Sequence, residues 1–356
     1  MAWTRLQTLA KSAGLPEPPI HTAPASGHRH RARLAVRGKA NNPKIGLFQS
    51  GSHRIVHIPR CEVHHPLINE AASEIRAAIR ETGVSPYADR PHRGALRYLQ
   101  LVVERATRRV QVVLVGCGET PEVLGDLPTA VESRLGDRLQ GLFFNAQPER
   151  SNSIFGPSTI QLTGAPATRE SICGVDVHFP PAAFGQNHLP LFERAVERIA
   201  ALVPAGSTIA EFYCGVGSIG LPLLGAARAI RFNERNPDGL AGLERGLAER
   251  PDAERARAHL LPGTAGERLD ALLGANVVVV DPPRRGLDEA LCEALAASPP
   301  ERLVYLSCGL ESLSTDLERL RSSGRLALRG IEAFDFFPFT EHVETLVWLD
   351  RIDGGH

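Results

Sequence analysis

The sequence predicts an α/β chain in two main parts: an α+β domain, followed by a domain built on a mostly parallel sheet. From about Leu191 short apolar runs alternate with segments of helical spacing, the pattern of strands joined by helices across a parallel sheet. From His28 to about Ile160 apolar runs follow one another as strands and hairpins, with one clear helix. The length of 356 residues is sufficient for two domains with their own cores.

The predicted elements begin with a helix at residues 4–13 and a proline-rich link from Pro16 to Pro24. In the α+β part, apolar alternation and spacing predict strands at 31–36, 44–48, 55–58, 98–104 and 109–115 and a helix at 67–82. In the second part they predict helices at 191–202, 219–224, 237–248 and 288–297 and strands at 208–213, 229–233, 277–280 and 303–306. We therefore divide the chain into an N-terminal helix and linker, a central α+β domain and a C-terminal domain, at residues 1–27, 28–170 and 171–356.

Composition excludes several classes of protein. The chain is 43% apolar and 22% charged, and no apolar run approaches the roughly 20 residues that cross a bilayer. The N-terminus lacks the apolar core of a signal peptide. Six cysteines without a C-x-x-C pair indicate neither a disulfide framework nor a zinc site. We expect a cytoplasmic protein without a membrane or metal partner, although Cys61-x-x-His64-His65 is a weak metal-binding pattern.

Charge is distributed unevenly along the chain. Residues 1–60 contain ten Lys and Arg side chains and one acidic residue, Glu17, although Lys+Arg and Asp+Glu each total 40 in the whole chain. A basic segment of this kind is typical of polyanion binders. It predicts nucleic acid as a partner, but a solvated basic face remains the alternative.

A glycine-rich motif follows the first strand of the second part. Residues 208–221 read T-I-A-E-F-Y-C-G-V-G-S-I-G-L, so that the strand runs into Gly215-x-Gly217-x-x-Gly220 and a helix. Glycines at this position let a ligand approach the backbone at a helix N-terminus. Glu234, 19 residues after Gly215, follows the next strand and can accept hydrogen bonds from ribose hydroxyls. The pattern predicts an adenine-ribose ligand, which leaves both NAD and S-adenosylmethionine open.

Three further side chains are predicted at the carboxyl edge of the same sheet. The strand V-V-V-V ends in Asp281-Pro-Pro, whose prolines fix the backbone and hold the carboxylate at the edge. Arg284 stands where enzymes that methylate exocyclic amines carry a base-stacking aromatic residue, which disfavours that chemistry. The strand L-V-Y-L leads to Cys308, and an alternating strand after Pro338 carries Glu344. Ligands bind beyond this edge in open α/β sheets, so a thiol and a carboxylate are predicted beside the cofactor.

The sequence resembles the RNA 5-methyluridine methyltransferase family. The resemblance spans nearly the whole chain, starting with H-R-H-R-A-R-L at 28–34, and its ordered motifs make it specific. They are G-L-F-F-N, F-G-Q-N-H, F-Y-C-G-V-G, V-D-P-P-R-R-G-L-D, L-S-C and F-P-F-T-E-H-V-E-T. It implies a Rossmann-like class I methyltransferase domain at the C-terminus, after a central α+β RNA-binding domain.

The resemblance implies a reaction and a set of residues for it. A thiolate of Cys308 would add to carbon 6 of uracil, so that carbon 5 can attack the methyl group of S-adenosylmethionine. Glu344 would then remove the proton from carbon 5, directly or through a water. The resemblance also assigns the ligand contacts. S-adenosylmethionine would contact Gln186, Tyr213, Gly215, Ser218, Glu234 and Asp281, and the RNA would contact Arg29, Arg31, Phe184 and Asp281.

The sequence departs from the family pattern at several positions. Glu211 replaces a usual Asp, His188 replaces the Asn of a Q-x-N motif, and His28 replaces a usual Tyr. Some family members bind an iron–sulfur cluster through four cysteines, of which only Cys61 has a counterpart, so no cluster is expected. The chain also starts too late for an N-terminal β-barrel module, which leaves RNA capture to the central domain and the basic segment.

The predicted function is thus methylation of carbon 5 of a uridine in structured RNA by a cytoplasmic monomer. The chain resembles the transfer RNA enzymes in size. The sequences of its glycine loop and of D-P-P-R-R-G-L-D are more similar to those of the ribosomal RNA group. Transfer RNA and 23S ribosomal RNA both remain open as substrates, with a slight preference for ribosomal RNA. Two alternatives are an NAD-dependent oxidoreductase, suggested by G-x-G-x-x-G, and a non-catalytic RNA-binding or folding factor.

Overall fold

A computed structural model of the protein describes residues 2–52, 54–90 and 92–352. Its helices, in chain order, are α1 Ala2–Ser12, α2 Pro66–Thr82, α3 Leu127–Leu135, α4 Leu189–Leu202, α5 Gly220–Leu223, α6 Pro237–Ala248, α7 Asp252–Arg255, α8 Glu289–Ala297 and α9 Leu310–Arg321. Its strands are β1 Ile20–His21, β2 Arg31–Lys39, β3 Asn42–Phe48, β4 Ile55–His57, β5 Leu96–Glu104, β6 Arg109–Gly116, β7 Leu139–Ala146, β8 Ser158–Gly164, β9 Thr168–Ile172, β10 Val175–Phe179, β11 Thr208–Phe212, β12 Ala229–Glu234, β13 Ala258–Pro262, β14 Val277–Val280, β15 Arg302–Ser307, β16 Leu326–Phe334 and β17 Glu344–Arg351.

The chain divides into two compact units. The C-terminal unit contains the chain up to Ala23, Ser171–His178 and the chain from His188 onward, and the central unit contains Pro24–Glu170 and Phe179–Asn187. The division of function among residues 1–27, 28–170 and 171–356 stays a prediction.

The C-terminal unit is built on a sheet of eight strands in the order β1-β16-β17-β15-β14-β11-β12-β13. The run β15-β14-β11-β12-β13 is parallel, whereas β17 is antiparallel to both of its neighbours, β15 and β16. This is the mixed α/β fold that the sequence predicts.

Hydrophobic burial explains why these segments form strands. All four valines of β14 are buried, as expected of a strand that is covered on both faces. The core around it includes Phe212, Tyr305 and Leu291, and Leu6 of α1 is buried in the same cluster. The sheet therefore holds the ends of β11, β14 and β15 in fixed register.

The central unit is built on a sheet of seven strands in the order β4-β3-β2-β5-β6-β7-β8, and β9 and β10 form a separate two-stranded sheet. Helix α2 buries Ile68, Ile75 and Ile79 in the same core as Leu34 and Val36 of β2. Another core cluster includes Ala35 of β2 and Tyr98 of β5.

Most of the predicted elements are confirmed, and several observed ones were not predicted. The helix predicted at 237–248 is observed at those residues, and the strand at 277–280 likewise. The prediction lacked α3, α7 and the strands β7, β8, β9, β10, β13 and β16. Strand β1 lies inside the predicted proline-rich link, because Ile20 and His21 pair with the end of β16. No helix in the described part of the chain is long and apolar enough to cross a membrane.

Candidate active site

Four strand ends meet at one edge of the C-terminal sheet. The parallel strands β11, β14 and β15 end there at Phe212, Val280 and Ser307. Because β17 is antiparallel to β15, its first residue, Glu344, lies at this same edge. The structure thus confirms the predicted placement of the carboxylate beside the strand that ends before Cys308.

Strand register brings Cys308 and Glu344 together. Ser307 pairs with Thr345, so Cys308 and Glu344 are the next residues at that end of two adjacent strands. The Cys308 side chain is half-buried. Burial, Glu344 and Asp281 raise the pKa of its thiol to about 11, whereas Arg284 acts in the opposite direction. The thiol and both carboxylates therefore share one electrostatic environment.

The Glu344 carboxyl group is fully buried. Neither of its oxygens has a hydrogen-bond partner among the described residues. Burial raises the pKa of Glu344 well above its ordinary value, the Asp281 charge raises it further, and Arg284 lowers it. A buried carboxyl group without partners is costly to the fold, so a group of this kind at a sheet edge indicates a functional role.

Asp281 follows β14 directly, at the place the sequence predicts. Burial raises the pKa of its carboxyl group from its ordinary value of 3.8. Asp281 also raises the pKa values of Glu344 and of Glu211, which is buried within β11. A charge on Asp281 therefore makes ionisation of both carboxyl groups more costly.

Arg284, which the sequence analysis noted only for standing in place of an aromatic residue, is a further residue at this edge. Its guanidinium group lowers the pKa values of both Cys308 and Glu344. A cavity of about 340 Å³ is lined by Cys308 and Arg284 together with Ser312 and His342. The turn that presents Arg284 is closed by the Gly286 amide, which donates to the Pro283 carbonyl over 2.9 Å. A short turn after a double proline carries no signal of where its side chains will lie.

Asp316 of α9 is a second residue that the sequence reading missed. Its buried carboxylate accepts hydrogen bonds from the Leu287 amide over 2.9 Å and from the Tyr305 hydroxyl over 2.8 Å. It thereby fixes the loop after Asp281 to the core of the sheet. The available signal was a carboxylate within the apolar stripe that Leu313 and Leu317 form on α9.

The glycine loop has the backbone conformation that its sequence predicts. Gly215 and Gly217 have φ values of +56° and +76°, which favour glycine. A side chain at Gly215 would meet no atom within 4 Å, so the backbone borders open space there. Ser218, in the same loop, is half-buried. The loop is thus a cradle that leaves room for a ligand beside its backbone.

The Glu234 carboxylate stands at the end of β12 beside this loop. It accepts hydrogen bonds from three backbone amides: Gly215 over 2.9 Å, Arg235 over 2.8 Å and Asn236 over 2.6 Å. These bonds fix the orientation of the carboxylate. A carboxylate has about four lone-pair positions, so capacity remains for a ribose hydroxyl.

Tyr213 precedes the loop with a φ of +60°, an unusual value for a residue other than glycine. Its hydroxyl accepts a hydrogen bond from the Asp288 amide over 2.8 Å, and its ring packs partly against the core. Burial raises the pKa of the phenol. Tyr213 therefore ties the glycine loop to the start of α8, and its contact with a cofactor stays a prediction.

Glu211, which departs from the family pattern, is buried within β11. Burial raises the pKa of its carboxyl group to about 8, and Asp281 and Glu234 add to the rise. A side chain at Gly220 would clash with the Glu211 carboxylate, so the last glycine of the motif makes room for this longer acid. The replacement of Asp by Glu is thus accommodated locally.

The remaining predicted ligand contacts belong to the central unit. Arg31 Nη1 donates to the Ala183 carbonyl over 2.9 Å, which brings Arg31 to the segment that carries Phe184 and Gln186. Phe184 is 64% exposed, which excludes a core role, and Gln186 is half-buried. Arg29 is half-buried, and its backbone bridges to His64.

The other departures from the family pattern have structural roles. His188 is buried and accepts a hydrogen bond from the Leu191 amide over 3.4 Å, as the N-cap of α4. His28 is buried and its ring is 2.8 Å from the Ala25 carbonyl. Within residues 2–52, 54–90 and 92–352, no group of three or more His, Cys, Asp or Glu side chains is arranged to hold a metal ion.

Known proteins resemble this chain over most of its length. Residues 265–352, which include Asp281, Cys308 and Glu344, match the family described as tRNA (Uracil-5-)-methyltransferase. An uncharacterized RNA methyltransferase of Protochlamydia amoebophila is 35% identical over 94% of this chain and 88% of its own length. One from Gloeobacter violaceus is 34% identical over 97% of this chain and 76% of its own length.

A solved structure resembles the fold of the whole chain. The crystal structure of Pyrococcus abyssi tRNA (uracil-54, C5)-methyltransferase, in complex with S-adenosyl-L-homocysteine, superposes with a TM-score of 0.80. The two sequences are 26% identical, and the match covers 98% of this chain and 82% of that one.

Proposed function

The chain belongs to the family of RNA uracil-5-methyltransferases, and on that premise we propose that it methylates carbon 5 of a uridine in structured RNA. S-adenosyl-L-methionine is the methyl donor in this proposal, Cys308 the nucleophile and Glu344 the base. The observation that carries it is the adjacency of Cys308 and Glu344 at one sheet edge, where Glu344 raises the pKa of the Cys308 thiol. Family membership leaves the nicotinamide-dependent alternative without support.

Cys308 supplies the step that activates the uracil ring. Carbon 5 of uracil is a poor nucleophile, so the Cys308 sulfur first bonds to carbon 6 and the ring electrons move to the carbonyl oxygen as an enolate. Carbon 5 of the enolate can then take the methyl group. The thiolate is the reactive form, and because the pKa of the thiol is raised to about 11, its proton must first pass to solvent water. Arg284, which favours the thiolate, is the cation that assists its formation.

Glu344 supplies the step that restores the ring. After methyl transfer carbon 5 still carries a proton, and the ionised Glu344 carboxylate removes it. The bond between Cys308 sulfur and carbon 6 then breaks, and the thiolate leaves. A carboxylate with a raised pKa is a stronger base than an ordinary one, which suits a buried Glu344 to this task.

The glycine loop fits an adenosine-containing ligand. Open space beside Gly215 and the amide-anchored carboxylate of Glu234 form a cradle at the end of β11 and β12. We assign the ribose to Glu234 and further contacts to Ser218, Tyr213 and Asp281. When bound, S-adenosyl-L-methionine supplies a methyl group on a sulfonium cation. Gln186 is the remaining proposed cofactor contact.

We assign RNA capture to the central domain, residues 28–170, and methyl transfer to residues 171–356. Arg29, Arg31 and Phe184 are the proposed RNA contacts, and exposure of Phe184 supports a ligand role for its ring. Asp281 is placed at the Cys308 edge, where it can orient the uracil. Removal of the target base from its stack would let the base reach the cavity that Cys308 and Arg284 line.

Nucleoside mass spectrometry tests this function directly. Unmodified transfer RNA and 23S ribosomal RNA are incubated separately with the protein and S-adenosyl-L-methionine, and Cys308→Ala is assayed in parallel. We expect 5-methyluridine in one RNA, with ribosomal RNA slightly preferred, and none with the variant. Binding of RNA without any modified nucleoside would instead favour a non-catalytic RNA-binding factor.

A further inference from the structure

Strand β2 of the central unit carries cations on one face only. Ala32, Leu34 and Val36 point into the core beneath α2. The alternate residues share the opposite face, because side chains of a strand alternate between its faces. Apart from Ala35 they are all basic: Arg31, Arg33, Arg37 and Lys39.

A cavity of about 1060 Å³ opens over this face. It exceeds the upper end of the range for small-molecule sites, ~300–1000 Å³. Its lining includes a single carboxylate, Asp89, and six cations: Arg33, Arg37, Lys39, Arg90, Arg97 and Arg150. The cavity therefore attracts anions.

Arg37 has a structural role in the cavity wall and is not one of the proposed ligand contacts. It is buried and pairs with both oxygens of Asp89, over 2.8 and 3.0 Å. Its guanidinium group also lies 5.1 to 5.3 Å from the ring centres of Phe48, Tyr87 and Tyr98. The pair neutralises Asp89 and fixes the segment that presents Arg90.

Arg97 fixes a second segment in the same way. It is buried, and its Nη1 donates to the Gln147 carbonyl over 2.7 Å and to the Glu149 carbonyl over 2.6 Å. Its Nη2 donates to the Ser151 carbonyl over 3.3 Å. The segment held by these bonds presents Arg150 at the cavity.

Four exposed cations remain after these structural roles are assigned: Arg33, Lys39, Arg90 and Arg150. Arg33 stacks on Phe155, with 4.9 Å from Cζ to the ring centre, and its Nε donates to Gln100 over 2.8 Å. These contacts hold the guanidinium group in place and use only one of its nitrogens. Asp89 is the one carboxylate among the described lining residues and is already paired with Arg37, so the exposed cations have no acidic partner among those residues.

The apolar part of the lining narrows the choice of anion. Leu47 is 43% exposed, and Phe48, Ile55 and Ile154 are half-buried beside it. A duplex hides the faces of its bases, whereas an unpaired strand offers bases for apolar contact and phosphates for cations. This combination matches single-stranded RNA better than a duplex or a free phosphate.

We propose that this cavity binds the backbone of an unpaired segment of the substrate RNA, as a site built from residues other than Cys308 and its neighbours. We infer this on the premise of the proposed function, namely that RNA is the substrate. Arg33, Lys39, Arg90 and Arg150 contact phosphates, and the apolar lining receives a base.

Fluorescence anisotropy of the full chain with an oligoadenylate of about 20 nucleotides tests the site. The probe contains no uridine, so its binding is independent of methyl transfer. The test variant is Arg90→Gln/Arg150→Gln. The matched control is Arg80→Gln/Arg245→Gln, which removes two exposed helix arginines outside the cavity lining. We expect a dissociation constant about tenfold higher for the test variant and unchanged for the control.

Salt dependence identifies the lost contacts as phosphate contacts. The slope of log affinity against log salt changes by about 0.7 for each phosphate released from a single strand. The test variant should therefore lose about 1.4 from this slope. Lys39→Gln, at a third exposed position, should lose about half as much.

Equal binding by the test and control variants, or no binding by the unsubstituted protein, would overturn the inference. Equal affinity for polyglutamate would also overturn it, since that result describes an unselective polyanion surface. Loss of oligoadenylate binding by the test variant would support the site even if no 5-methyluridine were formed.

Discussion

The Glu344 carboxyl group and the Cys308 thiol lie at neighbouring ends of two antiparallel strands, where a charge on Glu344 makes ionisation of the thiol more costly. Burial raises the pKa of Glu344 itself well above its ordinary value. Two groups in this relation favour having one charge between them at a time. The proposed reaction uses the Cys308 thiolate first and the Glu344 carboxylate later, so the two groups need not be charged at the same time.

Cys308→Ala should abolish 5-methyluridine formation, because the proposed reaction needs the Cys308 sulfur and Cys214, which follows β11 at the same edge, is buried. Nucleoside mass spectrometry after incubation with RNA and S-adenosyl-L-methionine measures the loss. Cys117→Ala, at a half-buried cysteine of the central unit, is the control and should retain activity. Full turnover by Cys308→Ala would exclude the mechanism.

Glu344→Gln should stop the reaction after methyl transfer, because the proton on carbon 5 has no base to accept it. The RNA would then stay bonded to Cys308. A protein band of reduced mobility on a denaturing gel, sensitive to ribonuclease, reports this adduct. Release of product by the variant at the normal rate would show that another group removes the proton.

Arg284→Gln should slow the alkylation of Cys308. Arg284 lowers the pKa of this thiol, so its removal reduces the fraction of thiolate at a given pH and shifts the reactivity profile to higher pH. Mass spectrometry of iodoacetamide-treated protein across a pH series gives the rates. Arg285→Gln is the control, because the Arg285 side chain pairs with Asp288 instead. Equal profiles for the two variants would rule out the effect.

Glu211 should make the unliganded protein less stable as the pH rises. The pKa of Glu211 is raised to about 8 in the folded chain, so between its ordinary pKa of about 4.5 and pH 8 the folded state binds more protons than the unfolded state. This contribution to stability is complete below the lower value and is lost as pH rises through the upper one. Thermal unfolding from pH 5 to pH 9 should show the decline, with a shallower slope for Glu211→Gln. An unchanged slope would contradict it, and Glu244→Gln, at an exposed site, is the control.

Asp316→Ala should destabilise the fold by about 1–3 kcal/mol, the usual cost of leaving a buried polar group unsatisfied. One oxygen of the Asp316 carboxylate accepts from both the Leu287 amide and the Tyr305 hydroxyl, and this substitution removes the acceptor from both donors. Chemical denaturation measures the loss. In a double-mutant cycle with Tyr305→Phe, the two changes should be less than additive. Strict additivity would show that the hydroxyl bond contributes nothing.

Local patterns were sufficient to predict the strands that carry the site. The four valines before Asp281 and the apolar run before Cys308 each form a buried strand, and parallel strands necessarily bring their ends to one edge. The position of Glu344 at that edge also follows once its strand is antiparallel. The roles of these residues in catalysis stay predictions.

The features that were missed depend on contacts distant in sequence. Arg284 reaches the thiol because of the shape of a turn, and the two-residue strand β1 exists only through its pairing with β16. The cavity over β2 is assembled from segments far apart, since Arg37 meets Asp89 and Arg97 meets the 147–151 segment. The spacing of residues within one segment does not predict contacts of this kind between distant segments.

The position of β17 has a consequence for how the site is assembled during folding. This strand follows β15 and β16 in the chain, yet it lies between them in the sheet. Strand β15 also pairs with β14, but β16 pairs only with β1 and β17 among the described strands, so β16 cannot join the sheet until the segment with Glu344 has been synthesised and inserted. In a nascent chain Cys308 is therefore synthesised before the sheet is complete. The proposed base, Glu344, takes its place beside the thiol only when β17 is inserted.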